Sequence, residues 1–81
     1  MKTTLDEMQL FVSVVDLGSI SAAAEQLELT VSAASRTLTR LEHKLDTTLL
    51  NRTTRRLTLT DEGASFLERA RSILDSVNAA E

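Results

Sequence analysis

Apolar residues recur along the N-terminal part of the chain at spacings of three and four. The row contains Leu5, Met8, Phe11, Val12 and Val15. This period is typical of a helix that buries one face. The segment Thr4-Leu5-Asp6-Glu7 has the form of a capping box, and Gly18 follows where a left-handed helix end is common. The pattern predicts a first helix over about residues 5 to 16.

Two further helical segments follow, with only a short connection between them. Ser19 and Ser21 offer hydroxyl caps for a short helix over about residues 22 to 27. Thr30 offers a cap for a third helix over about residues 31 to 45. Only Glu28-Leu29-Thr30 separates the two segments. Two helices joined by so short a turn predict a helix-turn-helix.

The third predicted helix has two different faces when its residues are placed at about 100° each. One stripe is apolar and consists of Ala34, Leu38, Leu41 and Leu45. The other side is polar and carries Ser32, Arg36, Thr39, Arg40 and His43. The apolar stripe is suited to packing, and the polar side is left free to contact a partner.

The hydrophobic period changes after the third helix. Residues 48 to 52 and 56 to 60 are predicted to be short strands, since apolar and polar residues alternate in Leu57-Thr58-Leu59-Thr60. A two-stranded hairpin directly behind a helix-turn-helix is a wing, and this one carries Arg52, Arg55 and Arg56. We expect the wing to contact phosphates or to reach the adjacent minor groove.

A last helix is predicted from residue 61 almost to residue 81, with Thr60 as its cap. Its apolar stripe is heptad-like and consists of Gly63, Phe66, Leu67, Ala70, Ile73, Leu74 and Val77. So wide a stripe needs more cover than the first helix can be expected to give. The sequence thus predicts a mainly α fold. It is a winged helix-turn-helix (three-helix core plus two-stranded β wing) over residues 1–60, followed by a long linker and dimerisation helix over residues 61–81.

The net charge of −3 at first argues against a nucleic-acid partner, since affinity for DNA rests largely on cations that neutralise phosphates. The charge is segregated, however. Residues 36 to 56 hold six basic and two acidic residues, a net +4, whereas the other residues hold three basic and ten acidic ones, a net −7. A basic face on an acidic body favours DNA, although the distribution alone is equally compatible with a solvated surface.

Composition also bears on other function classes. The chain has no cysteine and a single histidine, His43, so it offers neither a thiolate metal site nor a convincing pair of nucleophile and base. We therefore expect no catalytic site, no metal and no cofactor. The N-terminus lacks the apolar core of a signal peptide, and no segment is apolar enough for a membrane span. These features predict a soluble, cytoplasmic protein.

Several motifs occur in a specific order and spacing. They are Phe11-Val12, Gly18-Ser19-Ile20-Ser21 with Ala23-Ala24-Glu25-Gln26-Leu27, Ser32-Ala33-Ala34-Ser35-Arg36 with Leu41-Glu42, and Leu49-Leu50-Asn51-Arg52-Thr53-Thr54-Arg55 with Leu59-Thr60-Asp61-Glu62-Gly63. With them, nearly the whole chain resembles the N-terminal domain of LysR-type transcriptional regulators. Three positions depart from that pattern: Val31 replaces a common Gln, Asp46 replaces a helix-ending Gly, and Leu50 replaces a Phe under the wing.

The resemblance implies sequence-specific binding of double-stranded DNA by a homodimer. The last helix would join the two copies, the third helices would lie in successive major grooves of an inverted-repeat operator, and the wings would lie on the flanking minor grooves. The resemblance also implies a larger C-terminal domain, outside these residues, that binds a small-molecule inducer. We therefore expect the chain to be part of a longer bacterial protein associated with the nucleoid.

The candidate DNA contacts are Thr30, Ser32, Ser35, Arg36, Thr39, Arg40, Arg52, Arg55 and Arg56. The candidate dimer contacts are Phe66, Leu67, Ala70, Ile73, Leu74 and Val77. An arginine can donate two bonds to a guanine or hold a phosphate, and sequence does not separate these roles. Thr30 is equally explained as a cap, and Ser35 stands nearer the buried stripe. The alternative function is a winged helix for protein contact or dimerisation, without DNA readout.

Overall fold

The computed structural model describes residues 3–52 and 56–81. Four helices and a two-stranded antiparallel hairpin follow one another in the predicted order. Their bounds are α1 Leu5–Leu17, α2 Ile20–Gln26, α3 Val31–Leu45, β1 Leu50–Arg52, β2 Leu57–Leu59 and α4 Asp61–Ala80. The prediction of a winged helix-turn-helix with a long last helix is confirmed.

Hydroxyl caps determine where the helices begin, because the first amides of a helix have no partner within it. At α1 the Glu7 amide donates to Thr4 Oγ1 at 3.2 Å, and the Thr4 amide donates to Glu7 Oε1 at 2.9 Å. This pair completes the predicted capping box. At α2 the cap is Ser19, whereas Ser21 lies inside the first turn. The other two helices begin in the same way, with Thr30 capping α3 and Thr60 capping α4.

Left-handed backbone conformations end two of the helices and turn the chain between α2 and α3. Gly18 ends α1 with a φ of 70°, as its position predicted. Glu28 turns the chain before α3 with a φ of 59°, and Asp46 ends α3 with a φ of 51°. Aspartate tolerates this region better than most residues, because its short side chain can hydrogen-bond locally. The departure from glycine at position 46 therefore leaves the helix end intact.

The wing strands are shorter than the five residues predicted for each. They pair antiparallel over three residues, with Leu50 opposite Leu59. In the flanking pair the Thr60 amide still donates to the Leu49 carbonyl at 3.0 Å, but other polar groups of these two residues have partners outside the hairpin. The Leu49 amide donates to the Glu42 carboxylate at 2.7 Å, and the Thr60 hydroxyl caps α4. These bonds attach the base of the wing to α3 and to the start of α4.

The main core lies between the first three helices and the base of the wing. Its buried residues are Leu10, Phe11, Val14, Ala23, Ala24, Ala34, Leu38, Leu41, Leu49 and Leu50. The alanines of α2 and α3 allow the two helices of the helix-turn-helix to approach closely. Leu50, where the resemblance leads one to expect Phe, is only 5% exposed, so the smaller side chain is still covered by its neighbours.

The first half of α4 packs against α1 in a second, smaller cluster. Phe66 meets Phe11 edge-on, with ring centroids 5.4 Å apart. Ala70 is fully buried and packs with Met8 and Val12. Because Ala70 has no exposed surface, it serves the contact between α1 and α4 within the chain and leaves nothing for a second copy to touch.

Gly63 lies in the first turn of α4, where the helix passes directly over the backbone of the wing base. A Cβ at this position would overlap the Leu49 carbonyl group and would lie 3.1 Å from Leu59 Cδ2. The same Leu49 carbonyl accepts a bond from the Thr60 amide at 3.0 Å. Glycine is thus required here by space, and it allows α4 to start directly beside Leu49 at the base of the wing.

Candidate nucleic-acid interface

One side of α3 is polar and points away from the core. Because Ala34, Leu38 and Leu41 are buried, the helix can present only its opposite side to a partner. We call that side the reading face. Its members are Ser32, Arg36, Thr39, Arg40 and His43, and all of them are exposed. The structure therefore brings together the side chains that the sequence assigned to this side of the helix.

The first turn of α3 carries the other predicted contacts of this helix. Thr30 is exposed, and its hydroxyl accepts a bond from the Ala33 amide at 3.0 Å, so it serves as the cap. Ser35 is half-buried at the edge of the reading face, as its place beside the apolar stripe predicted. Val31 is 51% exposed. The start of the helix therefore offers an apolar side chain where the resemblance leads one to expect an amide.

A buried carboxylate on α1 binds one cation of α3 and lies near a second. Glu7 is 3% exposed and accepts two bonds from Lys44 Nζ, at 2.8 and 3.0 Å. Arg40 Nε lies 3.7 Å from the same carboxylate. Burial alone would raise the pKa of Glu7, but the hydrogen bonds from Lys44 and Thr4 outweigh it, so the pKa lies below its ordinary value. Glu7 is therefore an anion at neutral pH. Arg40 lies beside it at one edge of the reading face, with its side chain still 62% exposed.

A second carboxylate, on α3, holds the wing. Glu42 Oε2 accepts bonds from the amides of Leu49 at 2.7 Å and Leu50 at 3.1 Å. Glu42 Oε1 accepts a bond from Arg52 Nη2 at 3.1 Å. Arg52 Nη1 also lies 3.4 Å from the Thr39 hydroxyl on the reading face. One predicted wing contact, Arg52, is thus engaged with the protein itself.

The wing and the start of α2 border a shallow groove. From the wing the groove is lined by Arg52, Arg56, Leu57 and Thr58, and from the other side by residues 18 to 21. Ser21 is exposed there, so its hydroxyl faces the same groove as the wing arginines. The sequence pattern identified Ser21 only as a candidate helix cap, not as a residue of the interface. The predicted contact Arg55 lies outside the described residues.

Ion pairs within the chain use much of the basic segment. Arg40 and Lys44 face Glu7, and Arg52 faces Glu42. Over residues 3–52 and 56–81, the Arg36 side chain takes part in no ion pair or hydrogen bond. Its five donors are therefore available to an external ligand. The net charge of +4 therefore overstates the positive charge that this segment can present to an external ligand. Arg36 is the most available cation of the reading face.

The outer side of α4 is apolar toward its C-terminal end. Ile73 is 37% exposed, and Leu74 and Val77 are half-buried. The helix has 20 residues against 13 in α1. With a rise of about 1.5 Å per residue, α4 is roughly 10 Å longer than the helix that covers it. Part of the predicted dimer stripe thus stays uncovered within the chain.

Comparison with known proteins identifies the family of this chain. Residues 5–64 match the family described as bacterial regulatory helix-turn-helix protein, lysR family. The chain belongs to the LysR family. The HTH-type transcriptional regulator CrgA of Neisseria meningitidis serogroup C (strain 8013) is 56% identical over 81 residues, which are 100% of this chain and 27% of CrgA. The chain therefore spans a minor part of the length of that LysR-family relative.

Solved structures of LysR-family proteins share this fold. The BenM DBD in complex with catB site 1 DNA is 32% identical, with a TM-score of 0.92 over 96% of this chain and 88% of that one. The CbnR DBD in complex with DNA is also 32% identical, with a TM-score of 0.90 over 96% and 90% of the two chains. In the described part of our LysR-family chain, no helix is both long and apolar enough to cross a bilayer.

Two acidic residues of this LysR-family site were not singled out as site residues by the sequence. Glu7 was interpreted only as part of a cap, and Glu42 only as part of a motif. The available signal was their position, because each adjoins a residue of an apolar stripe, Met8 or Leu41. A carboxylate at the edge of a buried stripe needs partners to offset its desolvation. Which cations and amides would supply them depends on the packing of distant segments.

Proposed function

We propose that the chain binds double-stranded DNA sequence-specifically, as the DNA-binding part of a LysR-type transcriptional regulator. The observation that carries the proposal is the reading face. It is an exposed polar helix side whose central cation, Arg36, has no partner in the described part of the chain. A cation left unpaired on a chain of net charge −3 is suited to an anionic partner.

In the proposed complex, α3 lies in the major groove, which is wide enough to admit a helix. Arg36 donates to guanine O6 and N7, while the hydroxyls of Thr30, Ser32 and Thr39 donate to phosphates or nearby base edges. Ser35 is half-buried and contributes only through its exposed edge. Arg40 contacts DNA from the edge of the reading face. Arg55 and Arg56 of the wing neutralise phosphates or enter the minor groove.

Replacing Arg36 tests base readout. Arg36→Ala is expected to cost about 1–3 kcal/mol of binding free energy on the preferred site and to relax specificity at one base position. The measurement is a selection of bound duplexes from a random pool by the wild type and the variant, followed by titration of single-base variants. Arg69→Ala removes an exposed arginine from α4 and should change neither property. Equal losses on every sequence would contradict base readout by Arg36.

We propose further that two copies associate through the outer side of α4, with residues 1–60 as the DNA-binding unit and residues 61–81 as the dimer helix. Ile73, Leu74 and Val77 form the centre of this seam, with the exposed edges of Phe66 and Leu67 beside them. Ala70 is left out because α1 covers it. Two reading faces held in this way suit an inverted-repeat operator, since the symmetry of the site mirrors that of the dimer.

The dimer seam is tested by placing a charge in it. Ile73→Asp is expected to destabilise the dimer by at least about 3 kcal/mol, because the carboxylate would be buried without a partner. Ser72→Asp places the same charge about 100° around the helix and should leave association unchanged. Analytical ultracentrifugation across a range of concentrations measures both variants. A dimer that persists in Ile73→Asp with the wild-type dissociation constant would refute the seam.

The second candidate is a winged helix that contacts proteins or only dimerises, favoured by the apolar end of α4. The two functions differ in their response to salt. Binding to DNA weakens steeply as salt increases, since released counterions return to the phosphates, whereas an apolar contact does not weaken in this way. A titration of a duplex at several salt concentrations separates them.

The role of the whole protein is also part of the proposal. LysR-family relatives such as CrgA are named transcriptional regulators and are longer than this chain. We place the protein with the bacterial chromosome in the cytoplasm, and we assign the binding of a small-molecule inducer to a domain outside these residues. The proposed function requires no catalysis, because the chain acts by binding DNA.

A further inference from the structure

Arg52 lies at the end of β1, and its guanidinium is directed toward α3. Nη2 is 3.1 Å from Glu42 Oε1, and Nη1 is 3.4 Å from Thr39 Oγ1. The side chain is only 32% exposed. The planar guanidinium thus spans two residues of α3, one of which belongs to the reading face.

The partner of Arg52 also binds the backbone of the wing. Glu42 is 16% exposed in its side chain and accepts the amides of Leu49 and Leu50 on one oxygen and Arg52 on the other. One carboxylate therefore holds three donors, which span the base and the first strand of the wing. A hairpin of two three-residue strands is marginally stable on its own, so contacts with the rest of the protein have to set its position.

We propose that Arg52 is a positioning residue that, together with Glu42, fixes the wing relative to the reading face, and that it makes no phosphate contact of its own. We call the Arg52, Glu42 and Thr39 contacts the clasp. A lysine, with one point charge, cannot reproduce the two ends of a guanidinium that reach Glu42 and Thr39 together. This inference rests on the proposed function, since it assigns Arg52 a role inside a DNA-binding surface.

The clasp would act on DNA binding through pre-organisation. The reading face and the wing have to meet one duplex together, and a wing that is already held loses less freedom on binding. Loss of Arg52 then weakens binding without removing a phosphate contact. The affinity falls, while the dependence of log affinity on log salt stays the same, because the number of released counterions is unchanged.

The test is a double-variant cycle on the 81-residue chain with Arg52→Ala, Glu42→Gln and the combination. The probe is one duplex, selected from a random pool by the wild type and then held constant. Arg52→Ala is expected to weaken binding about fivefold in the wild-type background and to have little further effect beside Glu42→Gln, because contacting residues are coupled. Its salt slope should equal that of the wild type. Arg56→Ala, on the same hairpin, should reduce the slope by about 0.9 as the matched control.

Two outcomes of the binding measurements would overturn the clasp. One is an Arg52→Ala slope that falls by about 0.9, as expected for a lost phosphate contact. The other is an equal effect of Arg52→Ala with and without Glu42→Gln. A third measurement needs no DNA: the amide resonances of residues 57–59 should shift in free Arg52→Ala, and unmoved resonances would also count against the clasp. If the wild type selects no duplex, the proposed function is contradicted instead. The comparison of amide resonances still tests the clasp in that case, because it uses the free protein.

Discussion

Gly63→Ala is expected to lower the free energy of unfolding by about 3 kcal/mol, as overpacking of a close contact does. The sign of this change in stability distinguishes a crowded position from an open one. At an open helix position the same change stabilises by roughly 0.5–1 kcal/mol, because alanine loses less backbone entropy. At position 63 the new methyl group would overlap the Leu49 carbonyl. The start of α4 would have to move away from β1 and weaken the 3.0 Å bond from the Thr60 amide.

Thermal unfolding followed by circular dichroism, at one fixed protein concentration, measures this loss. For a domain of this size the expected fall in Tm is on the order of 15 °C. Gly18→Ala is the matched control, since open space surrounds that position and only its φ of 70° opposes a side chain. It should cost about 1 kcal/mol. A Gly63→Ala protein as stable as the wild type would contradict the close approach of α4 to the wing base.

The second large effect is expected at Glu42. Glu42→Ala should cost about 2–4 kcal/mol, because it removes the acceptor of two amides that water does not reach. Leu49 and Leu50 are 1% and 5% exposed, so their amides would be left without a partner. Arg52 would lose its counter-ion as well. The wing would then be held by the core packing of Leu49 and Leu50, by its own short strands and by Thr60.

Urea unfolding compares this variant with two others. Glu42→Gln keeps one carbonyl acceptor of similar size and should lose roughly half as much stability. Glu68→Ala removes an exposed carboxylate from α4 and should stay within about 0.5 kcal/mol of the wild type. If Glu42→Ala is no less stable than Glu68→Ala, the carboxylate does not support the wing.

The helices were predictable because the signals that define them are local. Each cap depends on a hydroxyl and an amide three residues apart, as in Thr30 with Ala33. Each buried stripe depends on the period of one helix, as in Ala34, Leu38 and Leu41. Local signals of this kind survive in any packing of the chain. The same reasoning predicted which side of α3 is exposed.

The wing and the last helix were predicted less well, because tertiary contacts decide their details. The strands end early because the Leu49 amide donates to Glu42 and the Thr60 hydroxyl caps α4, while the Thr60 amide still donates to the Leu49 carbonyl. Ala70 lies on the predicted dimer stripe, yet α1 buries it. The exposure of Ala70 depends on where α1 crosses α4. The spacing of apolar residues in α4 alone does not predict that crossing point.

Sequence by itself determined the order of elements, the helix caps, the buried and exposed sides of α3, and the resemblance that the family match bears out. These properties follow from residues that are neighbours along the chain. Only the tertiary structure decided which cations are free. It places Arg40 beside Glu7 and pairs Arg52 with Glu42, whereas Arg36 has no partner within residues 3–52 and 56–81. Charge counting cannot make that distinction, because an ion pair forms between residues that folding brings together from distant positions.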